Sequence, residues 1–177
     1  MDHRSLLLLG LLMSDSQHGY QIHDFIEKNL PFISNMKKAT AYSLLDKLSK
    51  EGFINVSVEF DGNRPPRKVY SINESGRNQF YQLLIKNVSS SESIFYEGDI
   101  GLMFLDHLPL HEAIESLQKK YQILNEKYNT IKQLSIQECS RGVKLAMNHK
   151  KRMLEADLSF INETIQQLSE YIHLETE

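Results

Sequence analysis

Apolar residues run almost unbroken from Leu6 to Met13, and the polar triplet Ser14-Asp15-Ser16 ends them. This predicts a first helix over His3 to Met13, apolar nearly all round and therefore buried, then a polar turn over Ser14 to His18. Ile22, Phe25 and Ile26 recur at helical spacing and predict a second helix from Gly19 to Asn29, which Pro31 stops. A third helix is expected over Ala39 to Glu51. Ala41, Leu44, Leu45 and Leu48 form its inner face, Thr40 is its start signal, and Gly52 sits just past its end.

The period then changes. Phe53 to Phe60 is rich in β-branched and aromatic residues and reads as a strand. Asp61-Gly62-Asn63 marks a turn, Arg64-Pro65-Pro66 forbids regular pairing, and Lys68 to Ile72 resumes as a second strand. Asn73 is an acceptable cap for a fourth helix carrying Phe80, Leu83 and Leu84. Helices followed by a two-stranded hairpin are the order of a winged helix-turn-helix. The module should end near Asn87, and Val88 to Ser93, with its four serines, reads as a linker.

The remainder has a different rhythm. Leu110, Ile114, Leu117, Tyr121, Leu124, Tyr128 and Ile131 recur at alternating intervals of four and three. Leu154, Leu158, Ile161, Ile165, Leu168 and Ile172 do the same. Such spacing lays a narrow apolar seam along one side of a helix, as in coiled coils and bundles. Each seam needs a partner: the other seam, a second chain, or both. Ser140-Arg141-Gly142 is the expected hairpin turn between them. The fold class is thus mostly α, with an N-terminal winged helix-turn-helix and long antiparallel C-terminal helices forming a dimer bundle. The expected domains are 1–88 for DNA binding, 89–109 for a linker and short helix, and 110–177 for dimerisation.

Charge sharpens this picture only locally. The net charge is -3, but residues 1–88 carry two more Lys/Arg than Asp/Glu, while residues 89–177 carry five more Asp/Glu than Lys/Arg. So small a basic excess does not by itself demand a polyanion; its placement matters more. In a helix-turn-helix the second helix of the pair enters the major groove. Its outward residues here are Tyr42, Ser43, Asp46, Lys47 and Lys50, with Lys37 and Lys38 at its entry to meet phosphates. Thr40, Tyr42 and Ser43 can donate hydrogen bonds to phosphates or base edges. At the hairpin, Arg64, Arg67 and Lys68 flank the two prolines, placing three cations on a stiffened tip that can follow the backbone or enter the minor groove.

With these residues in place the sequence resembles the PadR family of bacterial transcription regulators. The resemblance is carried by Leu8-Leu9-Gly10-Leu11-Leu12, His18-Gly19-Tyr20-Gln21-Ile22, Thr40-Ala41-Tyr42 with Leu45 and Leu48, and Gly52-Phe53-Ile54. It continues through Arg64-Pro65-Pro66-Arg67-Lys68-Val69-Tyr70 and Ser71-Ile72-Asn73-Glu74-Ser75-Gly76, where Asn73 replaces the usual threonine. The C-terminal helices resemble the longer members by pattern rather than by motif. The resemblance implies a homodimer on an inverted-repeat operator, usually a repressor, with Tyr42 and the wing cations on double-stranded DNA. It also implies release by a small planar or aromatic effector bound between the winged helix and the dimerisation region.

Other chemistry is poorly represented. His18 and His23 lie five apart, and Pro109 separates His107 from His111, so no ligand spacing for a metal emerges among the seven histidines. The single cysteine, Cys139, excludes an internal disulfide. The aromatic stretch from Ile94 to Phe104 reads as a hydrophobic anchor for the linker, or as an effector pocket using Phe95, Tyr96 and Phe104 with Glu97 and Asp99. No phosphate loop, nucleophile elbow or paired carboxylates suggest an enzyme, and no cofactor is expected. The apolar N-terminal run is too short for a membrane span and lacks a cleavage site, so the cytoplasm is expected. The function read from this chain is a sequence-specific DNA-binding regulator, a homodimeric repressor released by a small molecule. The alternatives are a winged-helix adaptor for a protein partner and a DNA-binding activator.

Overall fold

Leu8 and Leu9 are fully buried on α1 (His3–Leu11), and Leu12 in the turn that follows joins them. In this computed structural model the described residues are 3–13, 17–19, 21, 22, 24, 36–60, 66–91, 96–134 and 139–175. They fall into two compact units, Met1–Glu92 and Ser93–Glu177. Most of the helix expected over 19–29 lies outside the described residues. Gly19, Gln21, Ile22 and Asp24 carry helical backbone, and Ile22 is buried.

The helix α2 (Lys38–Lys50) buries Ala41, Leu45 and Leu48. It starts two residues before Thr40. Lys37 is the N-cap and makes no side-chain capping bond, so Thr40 lies in the first turn rather than starting the helix. Its exit follows from Gly52, whose φ of 78° is the left-handed conformation that a side chain disfavours. There the Phe53 N–H donates to the Leu48 carbonyl at 2.9 Å and the Gly52 N–H to Ser49 at 3.0 Å, the paired bonds of a Schellman ending.

That exit leads into an antiparallel hairpin of β2 (Ile54–Glu59) and β3 (Arg67–Ile72), in register from Ile54 opposite Ile72 to Glu59 opposite Arg67. A third strand was not expected. β1 (Gln17–His18) pairs with the other edge of β3, Gln17 opposite Tyr70 and His18 opposite Val69, giving the order β1-β3-β2. The segment expected to be only a turn therefore ends in a strand, because the free edge of β3 offers backbone partners that no local pattern announces. Central in this sheet, Tyr70 is fully buried among Leu8, Leu9, Leu45, Leu48 and Ile54.

Asn73 caps α3 (Glu74–Ser89), its Oδ1 accepting from the Gly76 N–H at 2.9 Å while its Nδ2 donates to the Gly52 carbonyl at 2.9 Å. One side chain thus ties the exit of α2 to the start of α3. Phe80 and Leu83 pack on the core, whereas Leu84 is 37% exposed. The helix runs through Val88 and Ser89, which were expected in the linker. The Ser89 hydroxyl donates back to the Ile85 carbonyl at 2.8 Å, so a serine here ends a helix rather than loosening the chain.

The second unit holds α4 (Glu97–Met103), a 3₁₀ turn (Leu105–His107), α5 (Leu110–Gln133) and α6 (Arg141–Glu175). The last two are antiparallel: Tyr128 donates to Glu155 at 2.9 Å, while Lys120 and Leu124 share a cavity with Phe160 and Ile161. The two seams meet each other within the chain. Leu117, Ile131, Leu154 and Ile161 are buried, while Leu110, Ile114, Tyr121, Leu124, Tyr128, Leu158, Ile165 and Leu168 are half-buried; the Ile172 side chain lies outside the description. Of the expected turn at Ser140-Arg141-Gly142, only Ser140 precedes the helix: Arg141 and Gly142 already belong to α6, and α5 stops at Gln133. Among the described residues no helix is long and apolar enough to cross a membrane.

Candidate nucleic-acid interface

The buried stripe of α2 turns Lys37, Lys38, Ser43, Asp46, Lys47 and Lys50 outward, all exposed, with Thr40 and Tyr42 half-buried beside them. Because Lys37 supplies no side-chain cap, the first amides of α2 open next to two ammonium groups. Helix dipole and cations there add in the same sense, favouring an anion.

The outer face is not uniformly basic. Lys68 of β3 donates to Asp46 of α2 at 3.3 Å, and Lys47 lies 3.9 Å from Glu51 one helical turn on. The Asp46 carboxylate, first through that hydrogen bond, holds the Lys68 ammonium above its ordinary pKa. Both groups are more than half exposed, so the pair adds little stability. Its effect is on placement: it ties the loop end of the hairpin to the outer face of α2. Arg67 stands opposite Glu59 at the far end of the hairpin. Arg64, the third expected wing cation, lies outside the described residues.

Two residues to which the sequence reading gave no site role shape this face. Gly19 is buried, and a β-carbon built on it would lie 2.5 Å from Cε1 of Tyr42 and 3.1 Å from Cε2 of Tyr70. The Gly19 backbone thus backs Tyr42 from behind. Tyr70 beneath is buried, its phenol pushed above its usual pKa mainly by desolvation, and its hydroxyl has no hydrogen-bond partner among the described residues.

The chain is similar to known transcription regulators. The profile described as the Transcriptional regulator PadR-like family matches residues 8–82, the span of α1 through most of α3. Over those residues, fewer than half of the chain, it is similar to the PadR-like family. A relative named Negative transcriptional regulator PadR, from Bacillus subtilis (strain 168), is 27% identical over 115 residues, which are 65% of this chain and 63% of that protein. The match therefore spans less than two thirds of that relative's length. Among solved structures, Bacillus subtilis PadR in complex with operator DNA superposes with a TM-score of 0.82 at 20% identity, over 95% of this chain and 98% of the other. The same protein with p-coumaric acid gives 0.79 at 20% identity over 93% and 98%, and a PadR-like regulator from Bacillus cereus gives 0.76 at 16% over 95% and 99%.

The aromatic stretch after the winged helix is only partly gathered. Tyr96 lines a cavity of about 520 Å³ with Leu124, Phe160 and Ile161, rimmed by Glu97, Asp99, Lys120 and Asp157. Phe104 is not among its lining residues; its ring stacks on His107 with centroids 6.2 Å apart. Phe95 lies outside the described residues. Lys120, Asp157 and Phe160 escaped the sequence reading because helix pairing alone brings them beside Tyr96.

Proposed function

We propose that this chain is a homodimeric repressor in the cytoplasm that binds an inverted-repeat operator and is released by a small planar molecule. The observation that carries the reading is the arrangement of α2: an uncapped, cation-flanked helix start with a half-buried tyrosine, fixed to a basic hairpin by Lys68 and Asp46. Lys37 and Lys38 would hold phosphates; Thr40, Tyr42, Ser43 and Lys47 would face the major groove; Arg64, Arg67 and Lys68 would follow the backbone from the wing. The relative crystallised with operator DNA supports the same use of the fold, and the relative crystallised with p-coumaric acid supports a planar effector. The Tyr96–Phe160 cavity can flank such a ring with aromatic surface.

The test is fluorescence anisotropy on the gene's own upstream region across a salt series. Arg64→Ala with Arg67→Ala should weaken binding to every sequence and flatten log K against log salt by about two, one for each lost phosphate contact. An unchanged affinity and slope would remove the wing from the interface. Absence of salt-sensitive binding in the parent chain would favour the adaptor instead.

Asp46→Asn gives the opposite sign. Removing the carboxylate releases Lys68 and lessens repulsion of phosphate, so affinity for any DNA should rise about threefold, with a salt slope steeper by about one. If Asp46→Asn instead weakens binding to the operator alone, Asp46 reads a base and its assigned role is wrong.

A further inference from the structure

The apolar face of the hairpin outlasts the core beneath it. On β2, Ile54, Val56 and Val58 alternate onto one side, and the same alternation carried one residue past the strand brings Phe60 there. Exposure climbs along that line, from 3% at Ile54 through 37% at Val56 and 50% at Val58 to 78% at Phe60. Across the ladder the face changes character. Ile72 and Tyr70, opposite Ile54 and Val56, still pack in the core, but Lys68 stands opposite Val58. Glu59, the acid next to Phe60, alternates to the other face, across from Arg67. The described hairpin thus runs out in an aromatic residue close to an ammonium group, and Arg64 follows a few residues later in the sequence.

Core packing does not explain this arrangement, since neither Val58 nor Phe60 belongs to the buried cluster. β2 is also an edge strand, where an exposed apolar run is ordinarily blunted with charge because it invites unwanted pairing. The side on which Phe60 stands is marked by Lys68, which shares its face and donates to Asp46 on the outer face of α2 at 3.3 Å. Phe60 therefore lies on the flank of the hairpin turned toward α2, one pair nearer the loop than Lys68. The apolar area there is small. One ring and two valines offer a few hundred Å², well short of the about 800 Å² per partner that a specific protein contact buries. A wedge between stacked bases needs only one ring, and the cations of the same hairpin suit the phosphates on either side of it.

We propose that Phe60 is a specificity-determining residue that enters the minor groove from the wing and partly unstacks one base step in each half-site. The proposal rests on the DNA-binding reading and adds sequence selection to a hairpin otherwise assigned only to the DNA backbone. Unstacking costs least at pyrimidine–purine steps, so TA or CA/TG should be preferred there without a hydrogen bond to either base.

A cycle of protein and DNA changes tests this in the full-length chain on the gene's own operator. 2-Aminopurine moved through each half-site should brighten at one step on binding, and Phe60→Ala should abolish that signal. Replacing the step with GC should weaken the parent at least about fivefold and Phe60→Ala less than about twofold. Phe60→Leu, still apolar, should restore part of both effects. Because Phe60 is exposed, Phe60→Ala should melt with the parent, and because no cation is lost its salt slope should stay that of the parent. Equal losses from the step change in the parent and in Phe60→Ala would overturn the inference and leave DNA binding standing. A parent complex in which no 2-aminopurine position brightens would do the same. If Phe60→Ala keeps its operator affinity but changes the oligomeric state, the face serves a protein contact and the inference fails. A parent chain without salt-sensitive DNA binding would sink the underlying reading along with it.

Discussion

Gly76→Ala should cost the N-terminal unit more than about 3 kcal/mol, the upper range for overpacking, and lower its melting midpoint by at least about 12 °C. Gly76 is buried in the first turn of α3, and an added β-carbon would collide with the Phe53 carbonyl oxygen and lie 2.8 Å from Cγ1 of Ile72. Neither neighbour can retreat freely. The Phe53 carbonyl accepts from the Asn73 N–H at 3.3 Å, and the Phe53 N–H is held by Leu48 at 2.9 Å in the helix ending. The collision therefore strikes the junction of α2, β3 and α3 together. Calorimetry of the full chain should show the change. Gly101→Ala and Gly142→Ala, helical sites with nothing within 4 Å, provide the contrast and should leave stability unchanged or raise it by about 0.5–1 kcal/mol. A midpoint within two or so degrees of the parent for Gly76→Ala would show that this junction is looser than described.

The same junction shows what a sequence can disclose. The turn that Gly52 makes and the cap that Asn73 gives Gly76 are local, so composition and position were enough to read them as a helix end and a helix start; the second bond of Asn73, to Gly52 21 residues back, was not legible. The paired seams were legible because period is a local property. Strand β1 was not: two residues have no period, and their pairing depends on the edge of β3 some fifty residues later. A separation of 22 residues likewise hid the bond from Lys68 to Asp46, which converts an apparently free wing cation into a strut. Phe104 looked equivalent to Tyr96 in sequence. Only the packing of α4 near the α5–α6 pair puts Tyr96 at a cavity and sends Phe104 to His107. The seams named the residues that are buried but not their partner, since one stripe fits its own chain and a second chain equally well.

Gly19→Ala should cost operator affinity at least about tenfold while changing stability much less, and the reason lies in which tyrosine can move. The new methyl would press on Tyr42 at 2.5 Å and on Tyr70 at 3.1 Å. Tyr70 is fully buried in the core, so its displacement would disturb packing on several sides. Tyr42 is half-buried on the outer edge of α2, and its ring can swing away. The strain should therefore be relieved by losing the placement of Tyr42 rather than by unfolding. One good base-edge contact is worth about 1–3 kcal/mol, which sets the expected loss. Tyr42→Ala should lose a similar amount, and the double variant should be no worse than Tyr42→Ala alone, because both changes remove one interaction. The slope of affinity against salt should stay that of the parent, since no cation has left the interface; this separates the effect from loss of the wing arginines. Affinities measured by anisotropy on one operator decide it. Losses that add in the double variant would mean that Gly19 serves DNA binding by another route, and an unaltered Gly19→Ala would take Tyr42 out of the groove.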